Sequence, residues 1–410
     1  MKTAIVLGAG MVGTSTAIAL QDRGWDVALV DRKAPGQETS FGNAGIIQSE
    51  AVEPYAMPRS IAKLFDIAFG RTNDVHYSLG ELPAHLGSLA RYWWHSQTAR
   101  HRTIAAAWAG LIGHSEQTHG VLIERAGAGN LITKSGYRVL YRSQAEFEAG
   151  IIDAERIYRT YGVASEVLTS AQTASAEPAL RDPGVGAIHW QKSWTSSDPG
   201  RLASSYADVF VRSGGTFAHG KAETLKRRGS GWWVETENGP VEAEHVVLAL
   251  GPWSADLLKG FGHRFPMVRK RGYHAHYRAP QALQAPVMDT EFGYVLAPMA
   301  AGMRITTGAH LARFEVAPAY NQLERAEAAA RQLMELGGRV EDTPWQGTRP
   351  CMSDMLPVIG ASQYQPGLWM NFGHGHQGFT LGPATGEALA TLMSDETPFV
   401  DLAPFRPERY

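Results

Sequence analysis

Residues 3–31 read TAIVLGAGMVGTSTAIALQDRGWDVALVD, and this stretch decides the fold. Thr3 to Leu7 form a continuous apolar run that suits a buried strand and breaks at Gly8. Met11 to Arg23 carry helical spacing at Val12, Thr16, Ala19 and Leu20 before Gly24 stops the helix. Val27 to Val30 read as a second strand ending in Asp31. Strand, helix and strand make one βαβ unit, which predicts a parallel sheet. Inside it, Gly8-Ala9-Gly10-Met11-Val12-Gly13 is a G-x-G-x-x-G, and Asp31 follows its last glycine by 18 residues. Gly8 permits the tight turn, Gly10 lets the backbone approach a pyrophosphate, and Gly13 lets helix and strand pack closely. Amide N–H groups and the helix dipole then meet the anion, while Asp31 accepts hydrogen bonds from a ribose diol. Asp31 repels a 2′-phosphate, so Arg32 and Lys33 read as solvated charges, Arg32 at the rim of the cofactor site. As an export leader Thr3 to Leu20 is too interrupted, with one lysine ahead of it and three glycines within it.

The chain has 410 residues, room for two or three units at the usual domain size of about 150. Its 38 basic and 40 acidic residues give a net charge of −2, which leaves no basic surplus for a nucleic acid. Cys351 is the single cysteine, so an internal disulfide and a thiolate metal cluster are both excluded, and no metal is expected. That usage suits a reducing cytoplasm. No run approaches the roughly 18 apolar residues of a spanning helix, and membrane contact, if any, is peripheral at the inner face.

Farther along, residues 56–126 are helical in pattern, with aromatic and basic side chains interleaved. The segments from Tyr137, Gly272, Tyr294 and Met303 alternate aromatic or β-branched with polar residues, which predicts an antiparallel sheet and a second domain. Pro199 to Val211 read as a helix, Glu242 to Leu250 as one more buried strand, and Tyr320 to Leu336 as an amphipathic helix.

Only one dinucleotide fingerprint occurs, so the chain is expected to hold one dinucleotide rather than a flavin and a nicotinamide. A second glycine-rich loop favours FAD. Residues 373–386 read GHGHQGFTLGPATG and feed a helix with Pro383 expected in its first turn. The free amides of Gly375, His376, Gln377, Gly378, Phe379 and Thr380 are placed to face negative charge, which a reduced flavin acquires at N1 and O2.

These motifs, with Ser40-Phe41-Gly42-Asn43-Ala44-Gly45, Ala249-Leu250-Gly251-Pro252-Trp253-Ser254 and Arg349-Pro350 before Asp354, fall in the order of the D-amino acid oxidase/glycine oxidase superfamily. The resemblance spans nearly the whole chain. Asn43-Ala44-Gly45 and the helical insertion look most like the bacterial D-amino acid dehydrogenase branch. The resemblance implies an α/β fold: a Rossmann-type FAD-binding domain with a discontinuous α+β substrate domain built on an antiparallel sheet. The expected FAD-binding segments are 1–50, 196–260 and 345–410, and the substrate domain takes 51–195 and 261–344. Ser40, Asn43, Ala44, Gly45, Gly251 and Trp253 join the cofactor set by the same resemblance. Where the family often has glycine after the aspartate, Met355 stands here, which predicts a different local backbone. Cys351 lies too close to Asp354 to match the cysteine of covalently flavinylated sarcosine oxidases, so noncovalent FAD is expected.

By resemblance Arg349 holds the substrate carboxylate, a task that suits a planar bidentate guanidinium. Tyr273 and Tyr294 fall on strands expected to line the substrate face. His274, His374 and His376 shape loops, His376 nearest the chemistry, since hydride removal from a neutral amine needs no histidine base. The implied reaction is hydride transfer from the α-carbon of an amino acid to FAD. An imino acid then hydrolyses to a 2-oxo acid and ammonia, with electrons passing to a respiratory quinone or another acceptor. A cyclic substrate such as D-proline or D-hydroxyproline, an oxygen-using glycine or sarcosine type oxidase, and a flavin protein without turnover remain alternatives.

Overall fold

A computed structural model describes residues 1–60, 64, 65, 67, 73–77 and 80–410. The opening βαβ forms as the spacing predicts: strand Thr3–Leu7, helix Met11–Gln21 and strand Asp26–Asp31, with Gly24 at φ +77° closing the helix. It seeds a six-stranded sheet in the order Thr216–His219, Asp26–Asp31, Thr3–Leu7, His245–Leu248, Leu368–Phe372, Val358–Ala361. All neighbours are parallel except the last pair. Helices Met11–Gln21 and Gly378–Met393 pack together on this sheet, and glycines set their distance. A Cβ on Gly386 would stand 2.7 Å from the Thr16 amide nitrogen, and one on Gly382 would strike Met11.

A ten-stranded sheet makes the second half, and its longest strand, Met267–Tyr277, pairs antiparallel with Trp345–Met352, Gly302–Thr306 and Ala309–Leu311. The sheet is antiparallel as expected save for two parallel pairs, Val287–Asp289 with Tyr137–Tyr141 and Ala309–Leu311 with Val75–Tyr77. By hydrogen bonding, Trp345–Met352 belongs to this sheet rather than to the six-stranded one, and it links the two halves.

Three expectations are corrected. The 56–126 insertion is not uniformly helical, because Val75–Tyr77 is a strand; the helices described are Leu82–His95, Thr98–Ile112 and Ser115–Ala126. Parts of the insertion between 61 and 79 lie outside the described residues. Residues 242–250 are not one strand: Val241–Ala243 joins a small sheet with Gly231–Val234, and the chain then turns so that His245–Leu248 enters the six-stranded sheet. Pro383 is the sixth residue of helix Gly378–Met393, not a first-turn residue. The proline leaves the Phe379 carbonyl without its helical donor. His119 Nε2 fills that role at 2.9 Å. Among the described residues no helix is long and apolar enough to cross a membrane, and no cluster of side chains could hold a metal ion.

Candidate active site

One cavity of about 1170 Å³ runs between the two sheets, from Asp31 at one end to Arg349 and His376 at the other. At the Asp31 end the glycines perform distinct geometric tasks. Gly8 sits at φ +108°, and a Cβ there would lie 2.5 Å from the Ala249 carbonyl oxygen. A Cβ on Gly13 would stand 1.8 Å from the Gly8 carbonyl oxygen, so only glycine lets the helix start this close to its strand. Gly10, Met11 and Val12 face the cavity; Ala9 and Gly13 stand behind its wall. Asp31 already accepts the Ala9 N–H at 2.6 Å and the Lys33 N–H at 3.0 Å, yet its carboxylate has lone pairs left for a diol. Burial pushes its pKa up against those hydrogen bonds.

Ser40 Oγ accepts the Met11 N–H at 3.0 Å, covering one amide of the helix start. Asn43 Oδ1 takes the Gly45 N–H at 2.8 Å in an Asx turn. Ser40, Asn43 and Ala44 line the cavity, whereas Gly45 is held behind it, its carbonyl accepting the Ser196 N–H. Gly251 at φ +54° faces open space, with nothing within 4 Å of where its Cβ would be. Arg32 is more than a solvated charge: its guanidinium lies 4.4 Å over the Trp253 ring and pairs with Glu38, at the cavity wall. An elongated cavity that begins at a glycine turn over a helix start and passes an acid fits a dinucleotide such as FAD.

At the far end Arg349 is half-buried, donating to the carbonyls of Gly308 at 2.7 Å and Thr307 at 3.0 Å. Burial pulls its pKa down. Tyr55 faces it: protein surrounds this residue, yet half its surface is open to the cavity, and burial pushes its hydroxyl up to about 12. His376 meets the Tyr55 ring edge-on at 5.4 Å, and burial with the charges of Arg349 and Lys270 holds it neutral. Gly375, Gly378 and Phe379 line the cavity as well. Gln377 and Thr380 do not; they brace the segment 46–48, Gln377 through Gln48 Oε1 at 2.7 Å and Thr380 through the Ile46 carbonyl. Tyr273 reaches the wall, but its hydroxyl is engaged by His310 Nδ1 at 2.7 Å and the Ala319 N–H at 3.1 Å. Tyr294 also reaches the wall, and its buried hydroxyl has no hydrogen-bond partner within reach among the described residues. His374 lines the cavity, but it bonds Thr385 and burial lowers it to about 3; His274 sits back, stacked on Trp345 and lowered by burial to about 2.

Two residues escaped the sequence reading. Lys270 lies directly across from Arg349 in the strand register. Arg304, fully buried, donates to the carbonyls of Phe41 and Asn43 and to His276, tying the 40–45 loop to the substrate-side sheet. Neither sits in a motif; pairing across the sheet brings Lys270 to the cavity and sets Arg304 behind the 40–45 loop.

The family model described as DAO, FAD dependent oxidoreductase, matches residues 3–392. The chain is 30% identical to a D-amino-acid oxidase of Bradyrhizobium diazoefficiens, over 99% of this chain and 98% of the relative. Among solved structures, glycine oxidase from Geobacillus kaustophilus superposes with a TM-score of 0.75 at 22% identity over the full length of both chains. L-proline dehydrogenase from P. horikoshii gives 0.72 at 17%, covering 100% of this chain and 97% of that one. Both structures share the fold.

Proposed function

This chain belongs to the DAO family of FAD dependent oxidoreductases, and from that premise we propose oxidative deamination of D-amino acids at the Arg349 end of the cavity, with electrons passed to a quinone-type acceptor. The observation that carries the reading is a half-buried arginine whose fixed donors leave one face open to the cavity, with no carboxylate among the described residues paired to it. A guanidinium so placed receives the substrate α-carboxylate. The carbonyls of Thr307 and Gly308 fix its plane, so the α-carbon arrives in one orientation. The positive charges of Arg349 and Lys270 disfavour an ammonium beside them, so the amine binds neutral. FAD, when bound, supplies the two-electron acceptor for the α-hydrogen. The resulting imino acid hydrolyses to a 2-oxo acid and ammonia. FAD is held noncovalently in this reading: the Cys351 thiol is buried, and burial pushes its pKa up, which makes it a poor nucleophile.

A D-configured substrate is favoured by the name of the Bradyrhizobium relative, and that same name favours a second reading in which oxygen is the acceptor. Anaerobic mixing with a panel of D- and L-amino acids tests the donor, since only true substrates bleach the flavin. Reoxidation by air against a quinone analogue then separates the two acceptors. Replacing Arg349 by Leu is expected to raise KM about a hundredfold while flavin content stays normal. Unchanged kinetics would remove Arg349 from the site.

A further inference from the structure

Lys270 and Arg349 occupy directly opposed positions of an antiparallel pair, which sends both side chains to one face. Like charges placed so are destabilising unless something negative joins them. Both line the same cavity. From there they diverge. The Arg349 guanidinium bends across Gly272, where a Cβ would come within 2.8 Å of it. The Lys270 ammonium instead stands 4.5 Å from the centre of the Tyr92 ring, at the seam with a smaller cavity bounded by Tyr55, Cys351 and His376. Lys270 and Gly272 are two residues apart on one strand, a spacing of about 6.7 Å. No carboxylate among the described residues pairs with either cation. Beyond the Gly308 and Thr307 carbonyls that Arg349 engages, the titratable groups that act on the pair are Tyr92, Tyr55 and Cys351, and Glu50, which acts on Tyr55, is committed to Ser193 and Gln48.

We infer that Lys270 is a specificity-determining residue that receives a second carboxylate of the substrate while Arg349 holds the first, which makes short dicarboxylic amino acids the preferred substrate class. This rests on the amino acid reading of the same cavity. A lysine that served only Tyr92 would not need to face the cavity, and one that served only the cofactor would act alike on every substrate.

The test is calorimetric titration of the FAD-loaded enzyme with succinate and with butyrate, neither of which carries an oxidisable amine. Wild type is expected to bind succinate about tenfold more tightly than butyrate. Lys270→Met should abolish that preference while leaving butyrate within about twofold, and Lys270→Arg should restore most of it. Equal wild-type affinity for the two acids overturns the inference without any variant, and so does equal weakening of both by Lys270→Met. A wild-type enzyme that shows no preference for succinate but whose flavin is still bleached by a neutral D-amino acid removes Lys270 and leaves the oxidation reading standing. A preserved, Lys270-dependent preference with no bleaching by any amino acid does the reverse.

Discussion

Met355 adopts φ +69°, the left-handed region in which a Cβ crowds the following carbonyl at a cost of about 1–2 kcal/mol. The family resemblance implies glycine at this position, and Met355 takes the left-handed conformation that glycine adopts most readily. Its surroundings explain why. Asp354 is clamped by Arg409 at 2.6 Å and accepts the Leu356 N–H, while the Met355 side chain is buried in the core. Packing therefore outweighs strain, and truncation should reveal both terms. Met355→Ala loses the packing and keeps the strain, whereas Met355→Gly loses the packing but relaxes the turn. We expect the glycine variant to be the more stable of the two by about 0.5–1 kcal/mol, the reverse of the usual order. Urea denaturation of both proteins measures it, and an alanine variant at least as stable as the glycine one would show that Met355 carries no strain. At this scale the turn-forming glycines and the place of Arg349 on the cavity wall were legible because they are local or lie in a motif. Lys270 and Arg304 were not, because their meaning depends on which strand lies opposite.

Helix Gly378–Met393 shows what element-level reading captures and what it misses. That a glycine-rich loop opens a helix was legible from residues 373–386. That Pro383 lies inside it was not, since the compensating donor comes from His119 on a distant helix. His119 is wholly buried and bonded on both nitrogens, to the Phe379 carbonyl and to Tyr206 Oη, each at 2.9 Å. Replacing it by Leu keeps much of the volume but leaves a buried carbonyl unpaired, a loss of about 1–3 kcal/mol. The expected result is a lower urea midpoint with an unchanged slope. A variant as stable as wild type would mean the helix satisfies its own kink. Likewise the sequence carried the strand pattern at 242–250, but not the turn that hands one run to two sheets, because the choice of sheet is made by long-range pairing.

Across the whole molecule, burial leaves histidines neutral at the places where the halves of the fold meet. His119 falls to about 4, His374 to about 3 and His274 to about 2, each chiefly because burial penalises the imidazolium. His119 braces the helix beneath the cavity, His374 the loop that enters it, and His274 stacks on Trp345 of the linking strand. A histidine depressed on folding takes its proton first in the unfolded chain. Its contribution is therefore fully present above the unfolded value of about 6.5 and is lost as pH falls through it toward the folded one. At pH 5 each of the three costs about 2 kcal/mol relative to pH 7. The carboxylates Asp31, Glu50 and Glu177 are shifted up and work in the opposite sense, but with His310 and His376 also lowered by burial the depressed histidines outnumber them. Bound FAD adds about 2.7 kcal/mol when present at a hundred times its Kd, so it delays the transition without changing its direction. The thermal midpoint of the holoenzyme is expected to hold between pH 8 and about pH 6.5 and to drop steeply toward pH 5, with flavin released in the same transition. A midpoint that stays level from pH 7 to pH 5 would mean that these histidines are already charged in the folded protein, and that the seam between the two sheets is wetter than its geometry implies.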